Sequence, residues 1–134
     1  MVHVRYDLSD VHRGTLADRY AETWFGNDWD GDTVDGLLAG TEELVALTDD
    51  ESDALLAFAH VLTDYTTVAF VRDVVVEETH RGEGLGRRLL TELRDHPELT
   101  DVDEFAVTCP DRLTAFYEAC GFERRADGAV LVRD

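Results

Sequence analysis

The sequence has few of the features that would tie a chain to a membrane or a disulfide framework. It contains no lysine, only two cysteines and two prolines in 134 residues, and no long apolar run. Cys109 and Cys120 fit no zinc spacing and no disulfide framework, so we expect them to pack in the core. We predict a reduced, cytoplasmic protein with no membrane span, no signal peptide and no metal.

The sequence also has few positively charged residues. The chain has 30 acidic and 12 basic residues, all of the latter arginine, for a formal net charge of -18. This excess disfavours nucleic-acid binding, which needs a basic face. It is compatible with a disordered acidic protein, with attraction to a basic partner, or with adaptation to high salt. Regular apolar periodicity argues against disorder. We favour salt adaptation, because at molar salt the Debye length is only about 3 Å and self-repulsion is screened.

Apolar periodicity predicts the element order β, α, α, β, β, β, α, β, α, β, β in a single domain over residues 1–134. This is an α/β fold with a mixed central sheet of six to seven strands, flanked by about four helices. The predicted strands cover 3–8, 43–48, 54–62, 66–77, 103–108, 122–125 and 129–132. The predicted helices cover 11–25, 32–38, 84–95 and 112–119, with Asp32 or Thr33 as the cap of the second. Asp127-Gly128 is typical of a two-residue hairpin turn.

The segment Arg81-Gly82-Glu83-Gly84-Leu85-Gly86 lies between a predicted strand and a predicted helix. It is not a dinucleotide turn, because Arg87 stands where that pattern needs glycine, and it lacks the lysine of a P-loop. Amide groups in the first turn of a helix have no intrahelical partner, and small residues let an anion approach them. With Arg81, Arg87 and, as a further candidate, Arg88 nearby, the segment predicts a pyrophosphate site that works against an acidic field. The alternative is an ordinary glycine-rich turn with exposed arginines.

Two segments resemble motifs of the GCN5-related N-acetyltransferase (GNAT) superfamily. Arg81, Gly84 and Gly86 match its Arg/Gln-x-x-Gly-x-Gly/Ala signature, and residues 115–122 resemble its second motif, a helix with tyrosine followed by Gly-Phe. The element order also matches that fold over nearly the whole chain. The chain departs from the family at Pro110, where an asparagine is common and contacts the cofactor, and at Glu78, where a proline is common.

The resemblance implies an enzyme that transfers an acetyl group from acetyl-CoA to a primary amine of a small molecule, peptide or protein by direct attack. A non-catalytic acetyl-CoA-binding sensor or partner module of the same fold stays open, as does a homodimer. In the family the strand before the turn pairs with the pantetheine arm, and one of its backbone N–H groups, here near Val75 or Val76, meets the thioester carbonyl. The implied cofactor-binding residues are Val74, Val75, Val76, Arg81, Gly82, Glu83, Gly84, Leu85, Gly86 and Arg87.

Direct attack requires a neutral amine and a proton for the departing thiolate. Tyr117 is the candidate acid, since a phenol is protonated at neutral pH; its alternative role is packing. Strand alternation puts Asp73 and Val75 on one face and Val74 and Val76 on the other. We expect a partly buried Asp73 to act as a base or amine contact, or else to pair with Arg72 or another arginine. The other base candidates are Glu77, Glu78, His80 and a water chain.

The acceptor amine should contact the first two helices and the loop between them. Asp28 and Trp29 in that loop combine a carboxylate with an indole, which favours a cationic amine. The same residues also fit a solvated loop with one anchoring tryptophan.

Overall fold

The structure, a computed structural model, describes residues 1–125 and 131–133, and this part of the chain forms five strands and four α-helices. The strands are β1 (Val2–Arg5), β2 (Glu43–Asp49), β3 (Leu55–Thr63), β4 (Val68–Val76) and β5 (Glu104–Ala106). The helices are α1 (Asp10–Ala21), α2 (Gly31–Gly40), α3 (Leu85–Arg94) and α4 (Thr114–Ala119). Single 3-10 turns lie at Glu78–His80, Pro97–Leu99 and Asp111–Leu113. The element order up to α4 is the predicted one.

Side-chain caps set where the first two helices begin. Ser9 accepts a hydrogen bond from the His12 amide at 3.1 Å and starts α1. Asp30, not the expected Asp32 or Thr33, starts α2, because its Oδ1 accepts from the Thr33 amide at 2.9 Å. Within the described residues no helix is both long and apolar enough to cross a bilayer.

The sheet has the strand order β1-β2-β3-β4-β5, antiparallel except for the parallel pair β4–β5. That parallel pair is short, joining only Val68–Phe70 to Glu104–Ala106. Beyond it, residues 71–76 of β4 have no strand on that edge in the described part of the chain. Apart from the Val76 carbonyl, which accepts from Arg81 Nε, their backbone N–H and C=O groups on that side are therefore open to another extended partner.

A β-bulge interrupts β4 close to this open edge. Phe58 pairs with Val75, whereas His60 pairs with Arg72, so two residues of β4 oppose one residue of β3. Asp73 lies in the bulge with φ of 56°. Such a left-handed conformation is uncommon outside glycine, and aspartate tolerates it better than most residues.

Helices cover both faces of the sheet and bury one core on each. The α1–α2 core contains Leu16, Tyr20, Val34, Leu38, Ala46, Leu55, Phe58 and Val75. The α3–α4 core contains Val45, Leu47, Ala57, Ala59, Val61, Leu85, Leu89, Leu93 and Tyr117, among others. Because β3 is sandwiched between the two cores, it is buried from Leu55 to Val61, and this stretch is apolar except for His60.

The prediction of six to seven strands is wrong for the described residues, which form five. Residues 122–125 were expected to be a strand and are irregular. Only Phe122 of this segment packs on the core, whereas the three charged residues after it are exposed. Arg124 donates to Asp111 and Thr114, and Arg125 donates to Glu104, so side chains rather than a backbone ladder hold the segment. The last predicted strand and its Asp127-Gly128 turn lie mostly outside the described residues.

Candidate active site

The turn from Arg81 to Gly86 exposes backbone N–H groups at the start of α3. Gly82 and Gly84 have φ of +84° and +83°, a region that disfavours side chains, and a Cβ on either would meet nothing within 4 Å. No side chain caps α3, unlike α1 and α2. The first backbone bond of the helix runs from Arg88 to Gly84 at 3.0 Å, so the three preceding amides have no partner in the helix. The turn can therefore bind an anion.

The arginines of the turn differ in how far their charge is already paired. Arg81 Nε donates to the Val76 carbonyl at 3.3 Å, which places it at the end of β4. Arg87 is exposed and makes no ion pair with a described residue. Arg88 lies 3.4 Å from Glu92, which compensates part of its charge. Arg81 and Arg87 are thus the positive charges best placed to meet a phosphate.

The turn, the end of β4 and α4 meet at Gly86. A Cβ added there would lie 3.1 Å from the Phe116 ring and 3.9 Å from Val76. Val74 and Val76 pack against the α3–α4 core, whereas Val75 belongs to the α1–α2 core. The predicted alternation along β4 is therefore confirmed.

Tyr117 lines a cavity of about 930 Å³ between α3, β5 and α4. The tyrosine is 8% exposed, and burial, with smaller effects of Cys109 and Cys120, raises its pKa to about 12. Its phenol therefore stays protonated at neutral pH and can donate a proton. The turn and Asp73 do not line this cavity.

The two cysteines are free and pack beside the α3–α4 core, as predicted. Burial raises the pKa of Cys120, which disfavours the thiolate. No hydrogen bond joins either thiol to a histidine of the described residues, so a covalent acyl-cysteine has no support in the geometry.

Asp73 lies on the opposite face of β4 from Tyr117, in a buried polar network. Its Oδ2 accepts from the Tyr20 hydroxyl at 3.0 Å and lies 2.9 Å from His60 Nε2. His60 Nδ1 is in turn 2.9 Å from the Thr41 hydroxyl. The side chains of His60 and Asp73 are only 4% and 7% exposed. Asp73 thus pairs with a histidine and a tyrosine, and not, among the described residues, with an arginine.

Sequence analysis did not identify Tyr20, Thr41 or His60. One signal was available, because His60 is a lone polar residue in the apolar run of β3 and shares a face with Phe58. Burial and the Asp73 carboxylate both raise the pKa of Tyr20, so this phenol keeps its proton at neutral pH and donates it to the hydrogen bond with Asp73.

Two of the remaining base candidates, Glu77 and His80, pair with each other beside the turn. Glu77 Oε2 is 2.6 Å from His80 Nδ1, and Glu77 Oε1 is 3.7 Å from Arg19. Hydrogen bonds from Thr79 and His80 lower the pKa of Glu77, and Glu77 raises the pKa of His80. Glu78 is exposed in the 3-10 turn that follows β4.

The structure separates the two predicted acceptor residues. Trp29 is half-buried, and its ring centroid is 5.2 Å from that of Tyr20, which links it to the Asp73 network. Asp28 is exposed and makes no hydrogen bond or ion pair with a described residue. The neighbouring Trp24 lies under the Arg112 guanidinium, 5.3 Å from its ring centroid, so this loop contacts the segment before α4.

Gly26 makes the packing of this aromatic loop possible. A Cβ there would lie 2.9 Å from Trp29 and 3.0 Å from Tyr20. We expect Gly26→Ala to lower the free energy of unfolding by about 1–3 kcal/mol, because two rings must move. Chemical denaturation in high salt measures it. Gly14→Ala, whose Cβ meets nothing within 4 Å, is the control and should stabilise α1 by roughly 0.5–1 kcal/mol. Equal stability of Gly26→Ala and wild type would contradict this packing argument.

Comparison with known proteins agrees with this fold. A family model described as an acetyltransferase (GNAT) domain matches residues 40–124, more than half of the chain. The chain therefore belongs to the GNAT family of acetyltransferases.

Particular relatives lie at moderate distance. Glucosamine 6-phosphate N-acetyltransferase 1 of Oryza sativa subsp. japonica is 34% identical over 90 residues, 62% of this chain and 54% of that protein. The chain thus spans about half the length of this curated relative.

Two solved structures share the fold. A protein from Xanthomonas campestris pv. campestris described as belonging to the GNAT family has a TM-score of 0.80 at 27% identity, covering 94% of this chain and 87% of that one. Glucosamine-6-phosphate N-acetyltransferase from Arabidopsis thaliana has a TM-score of 0.75 at 17% identity, covering 100% and 99% of the two chains.

Proposed function

We propose that this chain, as a single domain, transfers an acetyl group from acetyl-CoA to a primary amine of a small molecule, peptide or protein by direct attack. The observation that carries the proposal is the uncapped start of α3, with Arg81 and Arg87 beside it, next to the open edge of β4. The turn from Arg81 to Gly86 would hold the pyrophosphate. The open edge over residues 71–76 would pair with the amide groups of the pantetheine arm.

The two candidate catalytic side chains suit opposite halves of such a reaction. Asp73 faces α1, whereas Tyr117 belongs to α4 and lies on the other side of β4. The acceptor amine would lose its proton on the Asp73 side, and Tyr117 would protonate the departing thiolate. A backbone N–H near Val75 or Val76 would stabilise the oxyanion, since preorganised donors act there without reorganisation.

The loop between α1 and α2 is the proposed seat of the acceptor. Trp29 touches the Tyr20 ring, and Tyr20 in turn donates to Asp73, so an amine against the indole would lie near that carboxylate. Asp28 is free to approach a cationic acceptor from the same loop. The named activity of the rice relative makes glucosamine 6-phosphate the first acceptor to test.

An amine-panel assay tests the proposal. The protein is mixed with acetyl-CoA and glucosamine 6-phosphate, polyamines or lysine peptides in molar potassium chloride, and thiol release is followed. Release above background with at least one amine is expected. Acetyl-CoA binding by calorimetry without release would identify a non-catalytic module, and the absence of binding would overturn the proposal.

Gly84→Ala separates the turn's role in binding from its role in folding. The new methyl group would meet no protein atom, yet it would stand at φ +83° where the anion approaches. We expect acetyl-CoA affinity to fall about tenfold or more, and unfolding free energy to fall by about 1–2 kcal/mol. Gly36→Ala in α2 is the control, since its Cβ is also in open space, and it should leave affinity unchanged. Calorimetry and denaturation give both values; unchanged affinity in Gly84→Ala would refute the phosphate site.

A further inference from the structure

His60 is the buried group of the Asp73 network for which no role in the reaction has been given. It projects from β3 into the α1–α2 core, beside Phe58, with ring centroids 5.6 Å apart. A buried imidazole with both nitrogens in polar contact is unusual within a strand that is otherwise apolar. Burial of this kind costs free energy unless every polar atom finds a partner.

The contacts of His60 determine which oxygen of Asp73 is free. An ionised carboxylate only accepts hydrogen bonds, so His60 Nε2–H donates to Oδ2 at 2.9 Å. The Tyr20 hydroxyl donates to the same oxygen at 3.0 Å. Both donors therefore hold Oδ2, and Oδ1 is the oxygen left to meet a substrate.

Thr41 keeps the histidine in the orientation that this requires. With the proton on Nε2, Nδ1 is an acceptor, and the Thr41 hydroxyl lies 2.9 Å from it. The Thr41 hydroxyl oxygen also lies 3.1 Å from the Leu37 carbonyl in the last turn of α2, and because a hydroxyl has one proton, it donates either to that carbonyl or to Nδ1. The ring is thus fixed between β4 and the α2–β2 connection and cannot turn away from Asp73 without losing both contacts.

We propose that His60 is a positioning residue for acetyl transfer, which orients the Asp73 carboxylate so that Oδ1 takes the proton of the acceptor amine. In this step the ammonium N–H bond breaks, an O–H bond forms at Oδ1, and the amine becomes neutral. Oδ2 keeps accepting from His60 and Tyr20 throughout, so the network does not rearrange. The inference rests on the proposed function, and it deepens that function by naming a residue that acts through Asp73.

Few charges surround this pair within the described residues. Tyr20 faces it from α1, and Arg72 precedes Asp73 in β4 and influences Tyr20. The elements α2 and β2 add apolar side chains, Leu38 and Ala46, to the surrounding core. If the pH dependence of the reaction changes when His60 is replaced, the nearest carboxylate that can account for the change is Asp73.

Replacement of His60 should change the pH dependence as well as the rate. We expect His60→Leu to lower kcat about 10- to 100-fold and to move the acid limb of the kcat/KM profile to higher pH, because the carboxylate loses a donor. His60→Gln, which keeps an N–H donor, should recover part of the rate and part of the shift. Acetyl-CoA affinity should not change in either variant.

The controls separate this role from folding and from the proposed function itself. His96→Leu removes a histidine of similar burial that contacts Tyr6 and Glu43 instead, and it should leave the profile in place. If His60→Leu does not fold, as judged by thermal melting in the same salt, Tyr20→Phe removes the second donor and should shift the limb in the same direction. A wild type without turnover would refute the proposed function. If the wild type is active and His60→Leu has the same kcat and the same acid limb, the role of His60 is overturned while the proposed function stands. Where His60→Leu is unfolded, the same result in Tyr20→Phe leads to the same conclusion.

Discussion

Transfer from about 3 M to about 0.1 M potassium chloride is expected to lower the melting temperature of this protein on the order of 10–20 °C. At low salt the repulsion among the acidic residues, which give the chain a net charge of -18, is no longer screened and destabilises the folded state. Ion pairs give little compensation, because 12 basic residues cannot neutralise 30 acidic ones. Most pairs in the described residues are also solvent-exposed, such as Arg94 with Asp95 and Arg124 with Asp111, and such pairs contribute little.

Neutralising variants identify repulsion as the cause. Asp18, Asp35 and Glu51 are exposed and make no ion pair with a described residue. Replacing them by Asn, Asn and Gln should raise the melting temperature at low salt more than at high salt. Asp18→Glu keeps the charge and should leave the melting temperature unchanged at both salt concentrations. Circular dichroism melts across a salt series provide the measurement. A melting temperature independent of potassium chloride would refute salt adaptation.

The fold was predictable up to α4 because its signals are local. Apolar residues recur with a different spacing in helices and in strands. The four leucines of α3 and the valines of β4 each display the spacing of their element within ten residues. The cap of α2 was misplaced because Asp30, Asp32 and Thr33 are all good caps, and only the geometry selects Asp30. The prediction of a strand at 122–125 was wrong because the arginines of this segment bind acidic side chains, and its backbone pairs with no neighbouring strand in the described part of the chain.

The site divides in the same way. The backbone turn at Arg81–Gly86 could be predicted, since the glycines that adopt positive φ are visible in the sequence. Its role as an anion-binding site stays a prediction. The partners of Asp73 could not, because Tyr20 and His60 are 53 and 13 positions away and come from different elements. The bulge that turns Asp73 toward them also has no sequence signature, since its φ of 56° falls on a residue other than glycine.

Tyr117→Phe is expected to lower kcat about 100-fold or more while acetyl-CoA affinity stays constant, as general acid catalysis contributes roughly 10²–10⁴. The ring contacts with Phe116 and Phe122, at 5.0 and 5.7 Å, survive the change, so packing is retained. Since burial raises the pKa of Tyr117 to about 12, its phenol keeps its proton up to about pH 10, where the neutral fraction of an amine becomes large. Wild-type kcat should therefore not fall as pH rises to about 10.

The same substitution elsewhere provides the matched control for the acid role. Tyr65, which lies in the loop between β3 and β4, also has a pKa raised to about 12, and its hydroxyl donates to Glu43 of β2. Tyr65→Phe should therefore leave kcat unchanged. A second comparison uses an acetyl thioester whose thiol is more acidic than that of CoA. A thiolate that departs without a proton no longer needs the phenol, so the defect of Tyr117→Phe should shrink with this donor. An unchanged kcat in Tyr117→Phe with acetyl-CoA would limit Tyr117 to packing, and an equal defect with both donors would place its role before thiolate departure.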